Sequence, residues 1–283
     1  MAELSAEKIA SYALQGSNPT IELAQVNHRL RLLEVWKIQP GARVLEIGCG
    51  QGNTTTVVAE TIGSTGHVDA VDPAPADYGA PFTLAQAQAH ISASEVGSRI
   101  TWHQADPLEF LRSTNQRWDV AIFSHCLWYF KDEQTLKSLL EALSNRVEAV
   151  AIAEYALLAS EKNSVPHLLA AIARATLEAH KIDSHENIQS PFSPAEIKRV
   201  FERTGWKVKS ERNIVPAADL SDGAWEVDSV TSPHFLEEVK KIQNTRIEFV
   251  LKSSRDAIIA AVDSIGGRKN IRTMDVFVCR IGS

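Results

Sequence analysis

The sequence predicts an α/β protein built on a Rossmann-like, doubly wound sheet of about seven strands. From residue 43 onward, short apolar runs alternate with longer amphipathic stretches, the pattern of a parallel sheet covered by helices on both faces. The first run leads into a glycine-rich turn at residues 48–52, and the next run ends in Asp72. A strand, a glycine turn, a helix and a second strand ending in a carboxylate form a unit that binds adenosine-containing cofactors.

The chain before the sheet, residues 1–40, is predicted to form a helical cap. Apolar residues between positions 5 and 37 recur at helical spacing. The segment Gln15-Gly-Ser-Asn-Pro19 interrupts this pattern, so we expect two helices rather than one. Pro40-Gly41 then marks the turn into the first strand.

Residues 41–155 form the predicted cofactor-binding core, in which strands and helices alternate. The apolar runs predict strands near 43–47, 67–72, 100–103, 118–123 and 149–153. The amphipathic stretches predict helices near 53–62, 83–94, 106–112 and 133–144.

The alternation stops beyond residue 155. Residues 164–181 are helix formers almost throughout, and because no strand pairing accounts for a helix there, residues 156–192 are predicted to form a lid. The helix that follows is marked at both ends, by Ser193 with Glu196 at its start and by Gly205 at its end.

The remainder of the chain, residues 193–283, is predicted to complete the core sheet. Strands are expected near 206–215 and 274–281, and together they would make an antiparallel edge. Between them lies an insertion, residues 216–273, with a loop followed by a helical stretch at about 233–264.

Composition excludes several classes of function. The chain has 283 residues, is 44% hydrophobic and carries a formal charge of −6 with scattered basic residues, so a nucleic-acid footprint is missing. No apolar run approaches the ~20 residues of a membrane span, and the N-terminus does not resemble a signal peptide. The three cysteines are far apart and read as reduced thiols. These features predict a cytoplasmic protein that binds neither nucleic acid nor membrane.

The spacing of the glycines indicates which cofactor is bound. A dinucleotide fingerprint requires G-x-G-x-x-G, but Asn53 stands where the third glycine of that pattern belongs, after Gly48 and Gly50. The run Glu46-x-Gly48-x-Gly50-x-Gly52 instead resembles the first motif of class I S-adenosylmethionine-dependent methyltransferases. The resemblance covers residues 41–215 and 274–281, and in that family the final strand is antiparallel.

The resemblance implies S-adenosylmethionine as cofactor and assigns a set of residues to it. The three glycines would line its methionine portion, while Glu46 would orient the turn or meet the amino group through water. Asp72 would accept from the ribose, and Asp106 from the adenine amino group, although Asp106 is also a good helix cap. The implied cofactor-binding residues are Tyr12, Glu46, Gly48, Cys49, Gly50, Gly52, Asp72, Pro73, Ala105, Asp106 and Ser124.

The segment after the fourth strand carries the catalytic candidates. His125 would lie near the donor methyl group, where a neutral imidazole can remove the proton of a nucleophile. The equal alternative is a structural histidine that donates to a backbone carbonyl under the cofactor. No general base is then needed, because positioning alone can supply much of the rate. Tyr129 and Glu154 are the other catalytic candidates. Glu154, which ends the fifth strand, would assist His125, bind a substrate amine or cap the strand.

Aromatic residues supply the candidates for substrate binding. Trp128 and Tyr129 offer flat faces to a substrate or to a sulfonium, and the alternative is packing at a helix start. His167 of the lid is a further candidate. Trp225-Glu-Val-Asp228 of the insertion would contact substrate or pack against the insertion helix. His167, His180 and His185 lack the spacing of a metal site, so no metal is expected.

These observations favour a methyltransferase that acts on a small-molecule metabolite at an oxygen, nitrogen or carbon acceptor by direct displacement. Two other classes stay open: a protein of the same fold that binds the cofactor for a regulatory or scaffold role, and a nicotinamide-dependent oxidoreductase. The insertion helices are suited to build either a lid or a homodimer interface. The sequence does not distinguish between those two.

Overall fold

The computed structural model describes residues 4–16, 18–181 and 186–282. His185 of the predicted lid lies outside the described residues.

A mixed sheet of seven strands forms the centre of the described structure. The strands are β1 (Arg43–Ile47), β2 (His67–Asp72), β3 (Ile100–Gln104), β4 (Trp118–Ser124), β5 (Val147–Tyr155), β6 (Lys207–Ile214) and β7 (Val276–Gly282). Their order is β3-β2-β1-β4-β5-β7-β6. Strand β7 runs antiparallel to both β5 and β6, and the pairs among β1 to β5 are parallel. The predicted fold class, including the antiparallel last strand, is confirmed.

The strand order reverses beside β1, because the chain moves outward to β2 and β3 and then returns to β4 on the other side. At such a switch point the connections leave in opposite directions, so a crevice opens beyond the carboxyl ends of the strands. The residues after β1, β4 and β5 therefore face a common space.

Eleven helices cover the sheet in the described ranges. They are α1 (Ala6–Ala10), α2 (Thr20–Trp36), α3 (Asn53–Ile62), α4 (Leu84–Ser92), α5 (Pro107–Ser113), α6 (Glu133–Leu143), α7 (Val165–Glu178), α8 (Pro194–Thr204), α9 (Asp222–Thr231), α10 (Pro233–Lys240) and α11 (Thr245–Ser264). Short 3-10 turns occur at Gly97–Arg99, Leu127–Tyr129, Lys162–Ser164 and Arg268–Asn270.

The ends of α8 show why local signals predicted it. The Ser193 hydroxyl accepts from the Glu196 amide, and the Glu196 carboxylate accepts from the Ser193 amide, which completes a capping box. The helix ends at Gly205, whose φ of +78° is the left-handed conformation that favours glycine. Both ends are set by hydrogen bonds within the segment itself, from side chains at the start and from the backbone at the end.

The insertion differs from its prediction, because three helices occupy it and α9 lies where a loop was expected. The first turn of α9 contains a glycine, which is a poor helix former. Gly223 is required there, since a Cβ atom would come 2.7 Å from the carbonyl oxygen of Arg272. Val227 and Val230 of α9 are buried in an apolar cluster with residues of α7 and α11. Tertiary packing, which a local pattern does not report, therefore stabilises this helix.

The N-terminal cap is anchored to the sheet through α2. Trp36 is fully buried, and its indole Nε1 donates to the carbonyl oxygen of Ile152 on β5 at 3.1 Å. Buried Trp usually needs such a partner for its N–H. This contact holds α2 along the sheet, with its first half facing the crevice.

His167 joins α7 to the start of the last strand. The side chain is fully buried, and its Nδ1 accepts from the Met274 amide at 3.0 Å. No partner for Nε2 exists among the described residues. Burial lowers the pKa of His167 to about 4, while nearby Asp222 opposes the shift. The protonated form is therefore excluded from the folded state near neutral pH.

This burial predicts an acid sensitivity. The unfolded histidine binds a proton near its ordinary pKa of 6.5, and the folded one does so only near 4, so the free energy of unfolding falls as the pH decreases through that window. Between pH 7.5 and pH 5 this one group costs about 2 kcal/mol. In H167Q the amide oxygen can still accept from Met274. We expect urea titrations at both pH values to show a pH-dependent loss smaller by about 2 kcal/mol. An equally large loss in H167Q and the wild type would contradict the assignment.

Candidate active site

The turn between β1 and α3 is built from three glycines with positive φ: Gly48 at +75°, Gly50 at +51° and Gly52 at +93°. A Cβ atom on Gly48 would come 2.6 Å from the Cβ of Cys126, and one on Gly52 would come 2.7 Å from the Trp102 ring. At Gly50 a Cβ atom would meet no described atom within 4 Å. Gly48 and Gly52 thus permit close packing behind the turn, whereas Gly50 borders open space.

Asp72 holds this turn from the end of β2. Its Oδ2 accepts from the Gly50 amide at 2.8 Å, and its Oδ1 accepts from the Ala74 amide at 2.9 Å. On the other side of the turn, Gln88 of α4 donates to the Gly50 carbonyl at 2.9 Å. The predicted pairing of the glycine turn with a strand-end carboxylate is present, and Pro73 continues the same segment.

Glu46 lies beneath the turn and is 1% exposed. The Thr55 hydroxyl of α3 donates to its Oε2 at 2.6 Å. Burial raises the pKa of Glu46 to about 7, and the Thr55 hydrogen bond and Arg29 work against that shift. These contacts correspond to the first of the two predicted roles, orienting the turn and the helix behind it. Cys49 is buried as well, and all three cysteines are buried and unpaired.

Asp106 caps α5. Its Oδ1 accepts from the amides of Leu108 and Glu109 at 2.9 and 3.0 Å. The preceding Ala105 amide donates to the Asp72 carbonyl at 3.1 Å, so this segment lies next to the ribose-binding candidate. The capping role is therefore observed. Binding of adenine by Asp106 stays a prediction. Its Oδ2 atom takes no part in the two capping hydrogen bonds and would be the oxygen that accepts from the adenine amino group.

A cavity of about 680 Å³ lies beside the turn, at the carboxyl edge of the sheet. Polar and aromatic side chains from several elements form its walls. The lining residues come from positions 16–29, 51–53, 80–82, 125–129, 154–155, 187–188 and 222–226. Four of the predicted residues are among them: His125, Trp128, Tyr129 and Glu154.

Tyr12 and His167 lie neither in the cavity wall nor beside the glycine turn. Tyr12 is 4% exposed, and its hydroxyl donates to Glu60 near the end of α3, at 3.3 Å. That place is two turns of helix away from the glycines, because α1 packs beside the far end of α3. His167 lies behind Tyr155, with the two ring centroids 5.1 Å apart. Neither position supports the predicted contact with cofactor or substrate.

His125 reaches the cavity wall in a special conformation. Its φ is +51°, and its amide donates to the Ala153 carbonyl at 2.8 Å. Its Nε2 lies 3.0 Å from Nε2 of His28 on α2, so one imidazole donates to the other. Its Nδ1 is buried 3.8 Å from Glu154 Oε1, without a hydrogen bond to any described residue. In this rotamer both nitrogens face protein groups rather than the cavity.

His28 itself is 2% exposed. Burial lowers the pKa of His28 well below its ordinary value, and the neighbouring His125 and Arg29 lower it further. His28 is therefore neutral, and the contact is a hydrogen bond between imidazoles in which His28 carries no charge. The prediction foresaw a backbone carbonyl as the structural partner of His125. The partner is instead another histidine from the cap.

Glu154 organises the loop that carries His125. Its Oε2 accepts from the amides of Leu127 and Trp128 at 2.9 and 3.3 Å, and its Oε1 accepts from the Tyr155 amide at 2.9 Å. The carboxylate is 1% exposed. It therefore caps the 3-10 turn after β4, and its nearness to His125 Nδ1 adds an electrostatic contact without a hydrogen bond.

The two aromatic candidates differ in exposure. Trp128 is 3% exposed, and its Nε1 donates to the Phe192 carbonyl at 3.2 Å, so the ring mainly belongs to the core. Tyr129 is 45% exposed and turns toward the cavity. The neighbouring residues remove part of the water around the Tyr129 hydroxyl, and this desolvation raises the pKa of Tyr129. The hydroxyl is therefore protonated at neutral pH. Tyr129 is thus the better placed of the two to contact a substrate.

Several cavity residues were not assigned from the sequence. Asp222 of α9 accepts from the Tyr155 hydroxyl and from the Gln25 amide group, both at 2.7 Å. Burial raises the pKa of the adjacent Glu226 to about 7. Arg29 of α2 also lines the cavity. Of these three residues, only Glu226 belongs to a segment with a predicted role, since Trp225-Glu-Val-Asp228 was expected to contact substrate or to pack against the insertion helix. Nothing in the sequence indicated that Asp222 and Arg29 face the same space.

The observed groups fit the cofactor that the resemblance implies. Gly50 offers an unobstructed backbone, Asp72 presents a fixed carboxylate for ribose hydroxyls, and the adjoining cavity carries charges of both signs. The Ser124 hydroxyl accepts from Thr54 at 3.0 Å, which ties the end of β4 to the start of α3.

No group of three or more His, Cys, Asp or Glu residues in the described part of the chain could hold a metal ion. None of the described helices combines the length and the apolar character needed to cross a membrane.

Comparison with known proteins identifies relatives. Methyltransferases phomM′ and phomM of Diaporthe leptostromiformis are each 30% identical, with 70% of this chain and 61% of the relative covered. The chain thus spans about three-fifths of the length of these curated relatives. The cyclopropane-fatty-acyl-phospholipid synthase-like protein from Lactobacillus casei superposes with a TM-score of 0.87 at 28% identity, covering 98% of both chains.

Two further matches concern the fold and the family. Cyclopropane synthase MmaA2 from Mycobacterium tuberculosis shares the fold, with a TM-score of 0.55 at 14% identity over 99% of this chain and 95% of that one. The profile of a family described as "Methyltransferase domain" matches residues 22–211, which include the glycine turn and β1 to β5. Because this match spans more than half of the sequence, the chain belongs to that methyltransferase domain family.

Proposed function

We propose that this chain is an S-adenosylmethionine-dependent methyltransferase that methylates a polar small molecule by direct displacement. One observation supports the proposal above all: the glycine turn, locked to Asp72, borders a cavity large enough for a metabolite beside the cofactor. The family match supports the same reaction class.

In this proposal the chain acts mainly by positioning. S-adenosylmethionine supplies an electrophilic methyl group when bound. The Gly50 backbone and Asp72 would hold its nucleoside, and the cavity walls would align the acceptor and exclude water. Alignment of two reactants alone supplies about 7–11 kcal/mol of the barrier reduction.

His125 and Tyr129 are the proposed catalytic side chains at the acceptor. Because the Nε2 of His125 is bonded to His28 and its Nδ1 is buried, His125 would accept a proton only after its ring turns away from His28. Tyr129 would orient the acceptor through its protonated hydroxyl. We therefore assign most of the rate enhancement to alignment rather than to a general base.

The cavity walls favour a polar acceptor. Glu22, Asp222 and Glu226 line the cavity, and only Arg29 contributes a permanently positive side chain to the described walls. An acyl chain lodged among these groups would leave buried polar atoms without partners, which is costly. A fatty-acyl acceptor therefore fits these walls poorly, whereas a polar metabolite fits them well.

The proposal includes a cytoplasmic location and a small-molecule partner. Three buried, unpaired thiols suit the reducing cytoplasm. The net charge of −6 suits a small metabolite better than a nucleic acid or an anionic membrane surface. Pairing of two copies through the insertion helices stays a prediction of the sequence.

Alanine at Gly50 tests the cofactor site. We expect G50A to weaken binding of S-adenosylhomocysteine at least tenfold in calorimetry, because the added Cβ projects into the space assigned to the ligand. Alanine at positive φ also costs about 1–2 kcal/mol of stability. G205A is the matched control, since Gly205 has a φ of +78° and no described atom within 4 Å of an added Cβ. Equal binding by both variants and the wild type would refute the proposed site.

Asparagine at His125 tests the mechanism. Asn tolerates the positive φ of this position. Loss of a general base lowers kcat by roughly 10²–10⁴, whereas we expect less than a 100-fold decrease in H125N. The measurement is the initial rate of labelled methyl transfer into a metabolite extract at saturating donor, with calorimetry to show that donor binding is retained. A larger decrease with intact binding would identify His125 as the base.

A further inference from the structure

Arg29 occupies a fixed place between the cap and the glycine turn. Its Nε donates to the Thr54 hydroxyl at 3.0 Å, and its Nη1 donates to the Gln25 carbonyl at 3.1 Å and to the Gln25 side chain. The Thr54 hydroxyl in turn donates to Ser124 at the end of β4. The guanidinium is thus oriented by α2, α3 and β4 together, at the wall of the cavity.

The charge of Arg29 has no close counter-charge. Its hydrogen-bond acceptors are a hydroxyl, a carbonyl and an amide oxygen, all neutral. No carboxylate of the described residues lies within the 4 Å of an ion pair. Burial lowers the pKa of Arg29, although Asp222 and other acids farther away oppose the shift. A half-buried guanidinium without an anion is unfavourable, and a ligand carboxylate would correct this.

Carboxyl groups flank Arg29 at a longer range. Glu22, about two helical turns earlier on α2, accepts from the Asn53 side chain at 3.2 Å, and burial raises the pKa of Glu22 while Arg29 lowers it. Asp222 faces the same cavity from α9. A positive centre between negative ones is complementary to a zwitterion, in which a carboxylate and an ammonium group are close together.

We infer that Arg29 binds the carboxylate at the amino-acid end of S-adenosylmethionine. The inference rests on the proposed function and adds a residue that specifies the cofactor. Arg29 contacts Thr54, two residues after the last glycine of the turn, so it lies on the cofactor side of the cavity. A carboxylate on the acceptor is the other source of the same chemistry.

A pair of ligands separates the amino-acid end from the rest of the cofactor. S-adenosylhomocysteine carries the carboxylate, and 5′-methylthioadenosine lacks the whole amino-acid group. We expect R29M to bind S-adenosylhomocysteine about 10- to 100-fold more weakly in calorimetry, as for a lost hydrogen bond to a charged group. Its affinity for 5′-methylthioadenosine should match the wild type, which also shows that the nucleoside site is folded.

R31M is the matched control on the same helix. Arg31 donates to the Val215 carbonyl at 2.8 Å and does not line the cavity, so R31M should bind both ligands as the wild type does. Unchanged binding of S-adenosylhomocysteine by R29M would overturn the inference, and a raised KM for a carboxylated acceptor would then assign Arg29 to the acceptor. Equal weakening of both ligands would also overturn it. Failure of the wild type to bind either ligand would instead refute the proposed function.

Discussion

The turn between β1 and α3 is the constraint on which the rest of the site depends. Its glycines adopt left-handed conformations. Neighbouring side chains fill the space behind the turn: Cys126 packs against Gly48, and Trp102 packs against Gly52. Asp72 fixes the middle of the turn from β2. Because elements from β2, β3 and the loop after β4 hold the turn at once, its open side keeps one shape and the cavity beside it is preformed.

The core was predictable because its determinants are local. Three glycines within five residues require a turn, and a strand that ends in Asp72 needs only the alternating apolar pattern to be recognised. The cap of α5 by Asp106 and the capping box of α8 likewise depend only on neighbouring residues. Backbone conformation and capping depend on a few adjacent positions, so these features can be predicted from a short segment without knowledge of the rest of the fold.

The parts that sequence reasoning placed wrongly or not at all depend on distant contacts. Val227 of α9 is buried only because α7 and α11 cover it, so its segment read as a loop. Tyr12 was assigned by resemblance, and the actual direction of α1 carries it to Glu60 instead. Arg29 was given no role from the sequence, since nothing in its own segment reveals that α3 and β4 lie against that side of α2. Function at this site is assembled from such long-range neighbours.

Among the contacts that join the cap to the carboxyl edge of the sheet is the hydrogen bond between His28 and His125. One imidazole must supply an N–H and the other a lone pair, and a proton on both would end the bond. Burial and Arg29 disfavour that second proton on His28. If α2 moved outward, both rings would lose a buried partner, at a cost of about 1–3 kcal/mol for each unsatisfied group. The contact therefore helps to hold α2, with Arg29 on it, against the cavity, and it also restrains the ring of His125. The position of α2 and the orientation of the His125 ring therefore depend on the same hydrogen bond.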